Sequence, residues 1–294
     1  MPKYHFVISC LSALALLGNP QPLRGQALVP HTLQLNAQQL EEIGTSLVLE
    51  ANQWAQFQQY DQALPRAKLA AQLLPDNADA WAILGSLHLQ MEDAKAAIAA
   101  LEKARELTPE NATILFALGS AYFQDENYEQ AVIELEAGLK LEPDIPGALF
   151  DLGNAYYLLG QYSEAIDRYQ EALDEDEEFW PATNNMGLVK YEQGDVEEAI
   201  DLWKEAAAIE NSAEPQLARA VALYTLGKQE EGWELGETAI EIDLRYADLD
   251  FLKANLWGTQ LLADAEIFLQ TPRIQSTIAQ GSDELPVDVQ VAPQ

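Results

Sequence analysis

A ladder of prolines at constant spacing most constrains what this chain can fold into. Pro75, Pro109 and Pro143 are 34 residues apart, and each is preceded two residues earlier by leucine and followed by an acidic residue. A period of this length is typical of repeat proteins in which each unit is a pair of helices that packs on its neighbours. Because proline cannot continue a helix, the prolines mark the boundaries between units. The sequence therefore predicts an all-α array of stacked helix pairs.

A 34-residue frame that starts at Gly44 aligns leucine, glycine or alanine, and an aromatic residue in successive units. Leucine at the seventh position and the aromatic residue at the eleventh lie four residues apart, so both face one side of the first helix of the unit. Small residues at the eighth and twentieth positions allow the two helices to approach closely. In the third and fourth units these residues are Leu118, Gly119, Tyr122, Ala131, Leu152, Gly153, Tyr156 and Ala165.

This pattern resembles the tetratricopeptide repeat (TPR) family. The resemblance implies a right-handed superhelical solenoid of about six antiparallel helix pairs, a helix A and a helix B in each unit, over residues 44–247. Residues 28–43 are predicted to be an N-terminal segment with the start of the first helix, and 248–270 to be capping helices. The sixth unit is one residue short, which the frame places near Gly227. Residues 271–294 have no sustained period and are predicted to be a disordered tail.

The N-terminus has the pattern of a signal peptide over residues 1–27. Lys3 precedes a 12-residue apolar run from Phe6 to Leu17, and Ala27 ends a stretch of small residues suited to cleavage. A membrane-spanning helix needs roughly 20 apolar residues, so we expect cleavage and no membrane insertion afterwards. Two alternatives are an uncleaved N-terminal anchor and lipidation of Cys10. The predicted location is exported, in a periplasm or a thylakoid lumen.

The charge of the chain excludes several classes of partner. Its net charge is -32, and cleavage after Ala27 removes two bases, which leaves 14 bases against 48 acids. Nucleic acids and anionic lipids require clustered Lys and Arg, so neither is an expected partner. The sole cysteine is Cys10 and the three histidines are dispersed. We find no nucleophile motif and no metal-ligand spacing, so no enzymatic activity, cofactor or metal is predicted. A hydrolase hidden among the carboxylates is the remote alternative.

A concave groove on the A helices is the predicted binding site, by resemblance to the family. The A helices hold only two bases, Lys190 and Arg219, which excludes the TPR mode that clamps a C-terminal carboxylate. We predict instead an apolar helix or an extended segment of a client protein, with a hot spot in the third and fourth units. The competing interpretation is that the aromatic side chains are core. The predicted partner-binding residues are Asn52, Phe116, Ser120, Phe123, Phe150, Asn154, Tyr157, Asn184, Leu188 and Tyr191.

The predicted function is a non-enzymatic protein-interaction scaffold. The signal peptide, the acidity and the stretch from Leu256 to Arg273 loosely resemble exported cyanobacterial TPR proteins, which implies an assembly factor for membrane or envelope complexes. The alternative is a self-associating structural module that buries its sixth unit and cap between copies.

Overall fold

The computed structural model describes residues 36–284, and the described residues from Ala37 onward belong to one compact unit. Every regular element in this range is a helix, and no strand occurs within it. The predicted signal peptide lies outside the described residues, as do Cys10 and residues 285–294. The signal peptide and its cleavage at Ala27 therefore stay predictions.

The described residues contain six consecutive helix pairs, and helix B of each pair also packs on helix A of the next. The predicted all-α solenoid of antiparallel helix pairs is confirmed. The pairs are α1 (Ala37–Gln56) with α2 (Tyr60–Leu73), α3 (Ala78–Gln90) with α4 (Ala94–Leu107), α5 (Ala112–Gln124) with α6 (Tyr128–Leu141), α7 (Pro146–Leu158) with α8 (Tyr162–Glu175), α9 (Trp180–Glu192) with α10 (Val196–Ile209), and α11 (Ala213–Thr225) with α12 (Gln229–Ile242).

Four further helices follow the sixth pair. They are a short 3-10 helix (Leu244–Ala247), α13 (Leu249–Ala254), α14 (Thr259–Leu269) and α15 (Pro272–Glu284). Helix α14 packs on α11, and α15 packs on α12, so together they cover the sixth pair.

Glycine at the eighth position allows the two helices of a unit to interlock. A Cβ atom on Gly153 would lie 2.5 Å from Cε1 of Tyr169, and one on Gly187 would lie 2.5 Å from Nε1 of Trp203. Tyr169 and Trp203 are fully buried in helix B of the same unit. Their rings thus occupy the space that a side chain on helix A would otherwise fill.

Tyrosine at the eleventh position ties neighbouring units together. The Tyr122 hydroxyl donates to Oε1 of Glu102 at 2.8 Å, and the Tyr156 hydroxyl donates to Oε1 of Glu136 at 2.6 Å. In both pairs the carboxylate lies on helix B of the preceding unit. Burial, followed by the bonded carboxylate, raises the pKa of each tyrosine to about 12, so both remain protonated donors at neutral pH.

The turns between helices A and B have one length in all six described pairs. Each contains one residue with a left-handed backbone, namely Gln58, Glu92, Glu126, Gly160, Gly194 or Gly227. The prediction that the sixth unit is shortened near Gly227 is therefore wrong. Three residues (210–212) connect α10 to α11, whereas four (176–179) connect α8 to α9. The missing residue lies in the connection where Asn211 takes the place of the repeat proline.

The prediction of a disordered tail from Thr271 is wrong for residues 272–284, which form α15. Ile274 is fully buried against α12. Arg273 donates from Nε to Oε1 of Glu237 at 2.7 Å and from Nη1 to Oε1 of Glu230 at 2.6 Å. One buried isoleucine and an arginine fork stabilise this helix, and neither produces a sustained sequence period.

The interlock of helices A and B is tested by two Gly→Ala substitutions in α7. We expect Gly153→Ala to lower the free energy of unfolding by about 1–3 kcal/mol, because the new methyl group overlaps the buried Tyr169 ring. Gly147→Ala is the matched control, since nothing in the described residues lies within 4 Å of its Cβ position. It should stabilise the protein by about 0.5–1 kcal/mol. Urea unfolding measures both, and equal effects would contradict the interlock.

Candidate functional site

The face of the A helices that the family resemblance places in the groove is here called the A face. In the first three units it remains accessible: Asn52 is exposed, whereas Ser86, Leu89, Ser120 and Phe123 are partly exposed. These five residues define the open groove. It combines apolar and uncharged polar side chains.

In the fifth and sixth units the A face is buried. Asn184 is 2% exposed, and Leu188 and Tyr191 are both 0% exposed. Leu217 and Val221, which are equivalent to Asn184 and Leu188 in the sixth unit, are also fully buried. The reason is that α14 packs against both α9 and α11. The prediction that Asn184, Leu188 and Tyr191 face an open groove is therefore wrong.

Polar contacts fix α14 on the A face. The Tyr191 hydroxyl donates to Oδ2 of Asp264 at 2.7 Å. Oε1 of Glu192 accepts hydrogen bonds from the backbone N–H groups of Gln260 at 3.1 Å and Leu261 at 3.0 Å. A carboxylate at the N-terminus of a helix accepts hydrogen bonds from the free N–H groups of the first turn and interacts favourably with the helix dipole. A Cβ on Gly258 would overlap the Glu192 carboxylate, so glycine is needed there for space.

A second anchor is the buried carboxylate of Glu214, in the first turn of α11. Its Oε1 accepts from Nε1 of Trp257 at 3.3 Å, and its Oε2 accepts from the Tyr246 hydroxyl at 3.4 Å. Burial raises the pKa of Glu214 to about 7, although hydrogen bonds from Asn184, Trp257 and Tyr246 oppose the increase. One ionisable group thus joins the A face to two segments that follow the sixth unit.

The predicted groove residue Asn154 is also buried and is occupied by contacts within the chain. Its Oδ1 accepts from the Tyr169 hydroxyl at 2.8 Å and from Nδ2 of Asn185 at 2.8 Å. Oδ1 of Asn185 accepts in turn from Nδ2 of Asn184 at 3.0 Å. The prediction that Asn154 and Asn184 are partner-binding residues of the groove is wrong, because these amides link the fourth unit to the fifth.

Phe116 and Phe150 are partly exposed and pack within the solenoid. The Phe116 ring lies against the Cα of Gly138 on helix B of the same unit. Phe150 lies 5.8 Å from Tyr169 and 5.5 Å from Phe179, between ring centroids. Both rings fill space beside helix B, so they contribute packing rather than free apolar pockets.

Phe123 and Tyr157, the predicted hot spot, line one cavity of about 620 Å³. We call this cavity the turn cleft. Their rings pair with the first residue of helix B: Phe123 with Tyr128 at 5.3 Å, and Tyr157 with Tyr162 at 5.9 Å. Tyr157 is only 5% exposed, so most of its ring is core. The cleft is lined by Phe123, Glu126, Tyr128, Tyr157, Leu158, Gly160, Tyr162, Glu192, Asp250, Lys253, Ala254, Leu256, Trp257, Gly258, Thr259 and Leu262.

Sequence reasoning missed the second wall of the turn cleft, which the loop between α13 and α14 supplies. The spacing of Leu261, Ala265 and Phe268 indicates an amphipathic helix, and all three are buried. That spacing carries no information on which helices the apolar side covers. The packing of α14 on α9 could therefore not be predicted from the repeat pattern.

The two bases of the A helices are engaged within their own units. Nζ of Lys190 lies 3.0 Å from Oε2 of Glu198, and Nη2 of Arg219 lies 3.2 Å from Oε1 of Glu231. Both acids are on helix B. The two cations are thus paired with carboxylates of the protein itself.

Within residues 36–284, no group of three or more His, Cys, Asp and Glu side chains is arranged to hold a metal ion. No helix of the described part is both long and apolar enough to cross a membrane.

A model of the family described as the cytochrome c-type biogenesis protein H TPR domain matches residues 30–178, just over half of the chain. Among solved structures, MamA is 24% identical, covers 58% of this chain and 93% of its own, and has a TM-score of 0.53. YrrB, a TPR protein with an unusual peptide-binding site, is 21% identical, with coverages of 64% and 93% and a TM-score of 0.53. Pseudomonas aeruginosa PilF is 17% identical, with coverages of 74% and 98% and a TM-score of 0.59. At these identities the similarity concerns the fold, and none of the curated proteins compared with the chain matches it.

The buried Glu214 carboxylate predicts a pH dependence of stability. Because its pKa is raised from 4.5 to about 7, folding favours the protonated form. The stabilisation is complete below pH 4.5 and is lost as the pH rises through about 7. Its size is about 3 kcal/mol, at about 1.4 kcal/mol for each pH unit between the folded and unfolded pKa values.

Glu214→Gln isolates this effect, because glutamine keeps the shape and stays neutral. We expect the variant to be more stable than the parent at pH 8 and nearly equal to it at pH 5. Urea unfolding at the two pH values measures the difference. A constant difference between variant and parent across this range would contradict the assignment.

Proposed function

Since the chain belongs to the family of the cytochrome c-type biogenesis protein H TPR domain, we propose that it is a non-enzymatic scaffold that holds a segment of a client protein in its open groove. The observation that carries this proposal is the unequal covering of the A face. The chain's own helices cover the fifth and sixth units, whereas Asn52, Ser86 and Leu89 remain accessible. The A face of the fifth and sixth units binds helix α14 of the chain itself. The accessible part of the same face is therefore suited to bind a further helix or extended segment.

The docking of α14 indicates what kind of client suits this face. Helix α14 presents Leu261, Ala265 and Phe268 to the protein, and all three are buried. One polar contact, from Tyr191 to Asp264, adds a directional bond at 2.7 Å. An apolar helix or extended segment is therefore the proposed client. YrrB, a structure with the same fold, has an unusual peptide-binding site, which supports a peptide as the form of the client.

We also propose that the protein is exported and acts as an assembly factor for membrane or envelope complexes. The apolar run from Phe6 to Leu17 supports export, and membership of the cytochrome c-type biogenesis protein H family supports a role in assembly. Mass spectrometry of the protein purified from native cells tests the proposed export, because it shows whether the signal peptide has been removed. We expect a chain that begins at Leu28, and a full-length or lipidated chain would contradict cleavage after Ala27.

The self-association alternative has less support. It requires copies to bury the sixth unit against one another, but α14 already covers α11 and α15 already covers α12. Light scattering of the purified protein separates the two functions, because the scaffold is expected to be a monomer. A stable dimer that forms through the sixth unit would favour the alternative.

The open groove is tested by peptide display and two matched double variants. Peptides selected from a random library on the full chain should lose about tenfold in affinity when Asn52→Arg and Ser86→Arg block the groove. Gln72→Arg and Ala99→Arg form the control, because both positions are exposed on helix B of the same two units and the charge change is equal. Equal losses in the two double variants would contradict binding in the groove, and thermal unfolding confirms that both are folded.

A further inference from the structure

We propose that the turn cleft anchors the client by taking one bulky apolar side chain whose neighbours in the client are lysine or arginine. This inference rests on the proposed function and names the chemistry of the segment. The cleft adjoins the open groove, because Phe123 lines both. A segment that lies along the groove can therefore end in the cleft.

The shape and lining of the cleft fit an apolar side chain. Two aromatic pairs form one wall, Phe123 with Tyr128 and Tyr157 with Tyr162. Leu256 and Leu262 lie on the other wall, and both are only partly buried by the protein itself. A cavity of about 620 Å³ is large enough for one aromatic or long aliphatic side chain with its flanking backbone. Aromatic rings supply large contact area at low entropic cost, as in binding hot spots.

A buried hydroxyl in this wall lacks a partner. The Tyr157 hydroxyl has no hydrogen-bond partner within residues 36–284, although Tyr157 is only 5% exposed. Burial, followed by the proximity of Glu192, Tyr162 and Tyr169, raises the pKa of Tyr157, so its hydroxyl remains a donor. A buried donor without an acceptor is costly. Because this oxygen is itself inaccessible, a segment in the cleft contacts only the exposed edge of the Tyr157 ring.

The rim of the cleft is acidic. Glu126, Glu192 and Asp250 line it, against the single base Lys253. The Glu192 carboxylate already accepts hydrogen bonds from N–H groups of α14, whereas Glu126 and Asp250 are exposed. Exposed carboxylates beside an apolar cavity favour a segment with positive charge next to its anchor, and the net charge of the chain reinforces that attraction.

The chemistry of the anchor is tested with three fluorescein-labelled decapeptides and the full chain. The first has a central leucine and phenylalanine flanked by lysines, the second replaces the lysines with glutamates, and the third replaces the apolar pair with serines. We expect the first to bind and the other two to bind at least about tenfold more weakly in fluorescence polarisation. Equal binding of the first two peptides would overturn the assignment of a basic client.

Protein variants locate that binding. Glu126→Lys with Asp250→Lys should weaken binding of the first peptide by about tenfold. Glu110→Lys with Asp201→Lys is the control, because both residues are exposed, lie outside the cleft and give the same change in charge. The control should bind like the parent.

The outcomes separate this inference from the proposed function. If the cleft double variant binds the first peptide like the parent while the groove variants still lose the displayed peptides, the inference is overturned and the scaffold function stands. If the display selection also gives no peptide that depends on the groove, both are overturned.

Discussion

A helix pair of this type cannot bury its apolar side alone, so the last pair in the solenoid must be covered by something else. Here α14 and α15 cover the sixth pair. Because α14 also reaches back to α9, the same cover fills the A face of the fifth unit. The carboxylate of Glu192 at the start of α14 and the bond from Tyr191 to Asp264 hold it there. The extent of the remaining groove follows from this one docked helix.

The cover also supplies one wall of the turn cleft. One wall of the turn cleft belongs to the repeats, through Phe123 and Tyr157, and the other belongs to the loop between α13 and α14. The cleft thus joins a surface shared by repeat proteins to a segment outside the repeats. The second wall adds Leu256, Trp257 and Leu262, which lie outside the repeats. Glu214 links the wall to the solenoid through Trp257.

Buried polar groups explain why several predicted binding residues are structural. Asn154, Asn184 and Asn185 bond to one another across the fourth and fifth units, so these amide groups are engaged within the protein. Asparagine at a groove position is compatible with either a ligand contact or such a network. Only the residues that surround the asparagine in space distinguish these two roles. For Asn154 they are Tyr169 and Asn185 of the next unit.

The sequence by itself determined the repeat architecture, because the 34-residue spacing of proline and the glycine at position eight are local requirements of each helix pair. It also identified Phe123 and Tyr157 as members of one candidate site, since both occupy the same position in adjacent units. It did not determine that Leu188 and Tyr191 are buried, that residues 272–284 form a helix, or that the shortening of the sixth unit lies at Asn211. Those features depend on which surface the C-terminal helices cover and on where a connection can lose a residue. Both are decided by packing between segments far apart in the chain, and a repeat pattern reports only packing between neighbours.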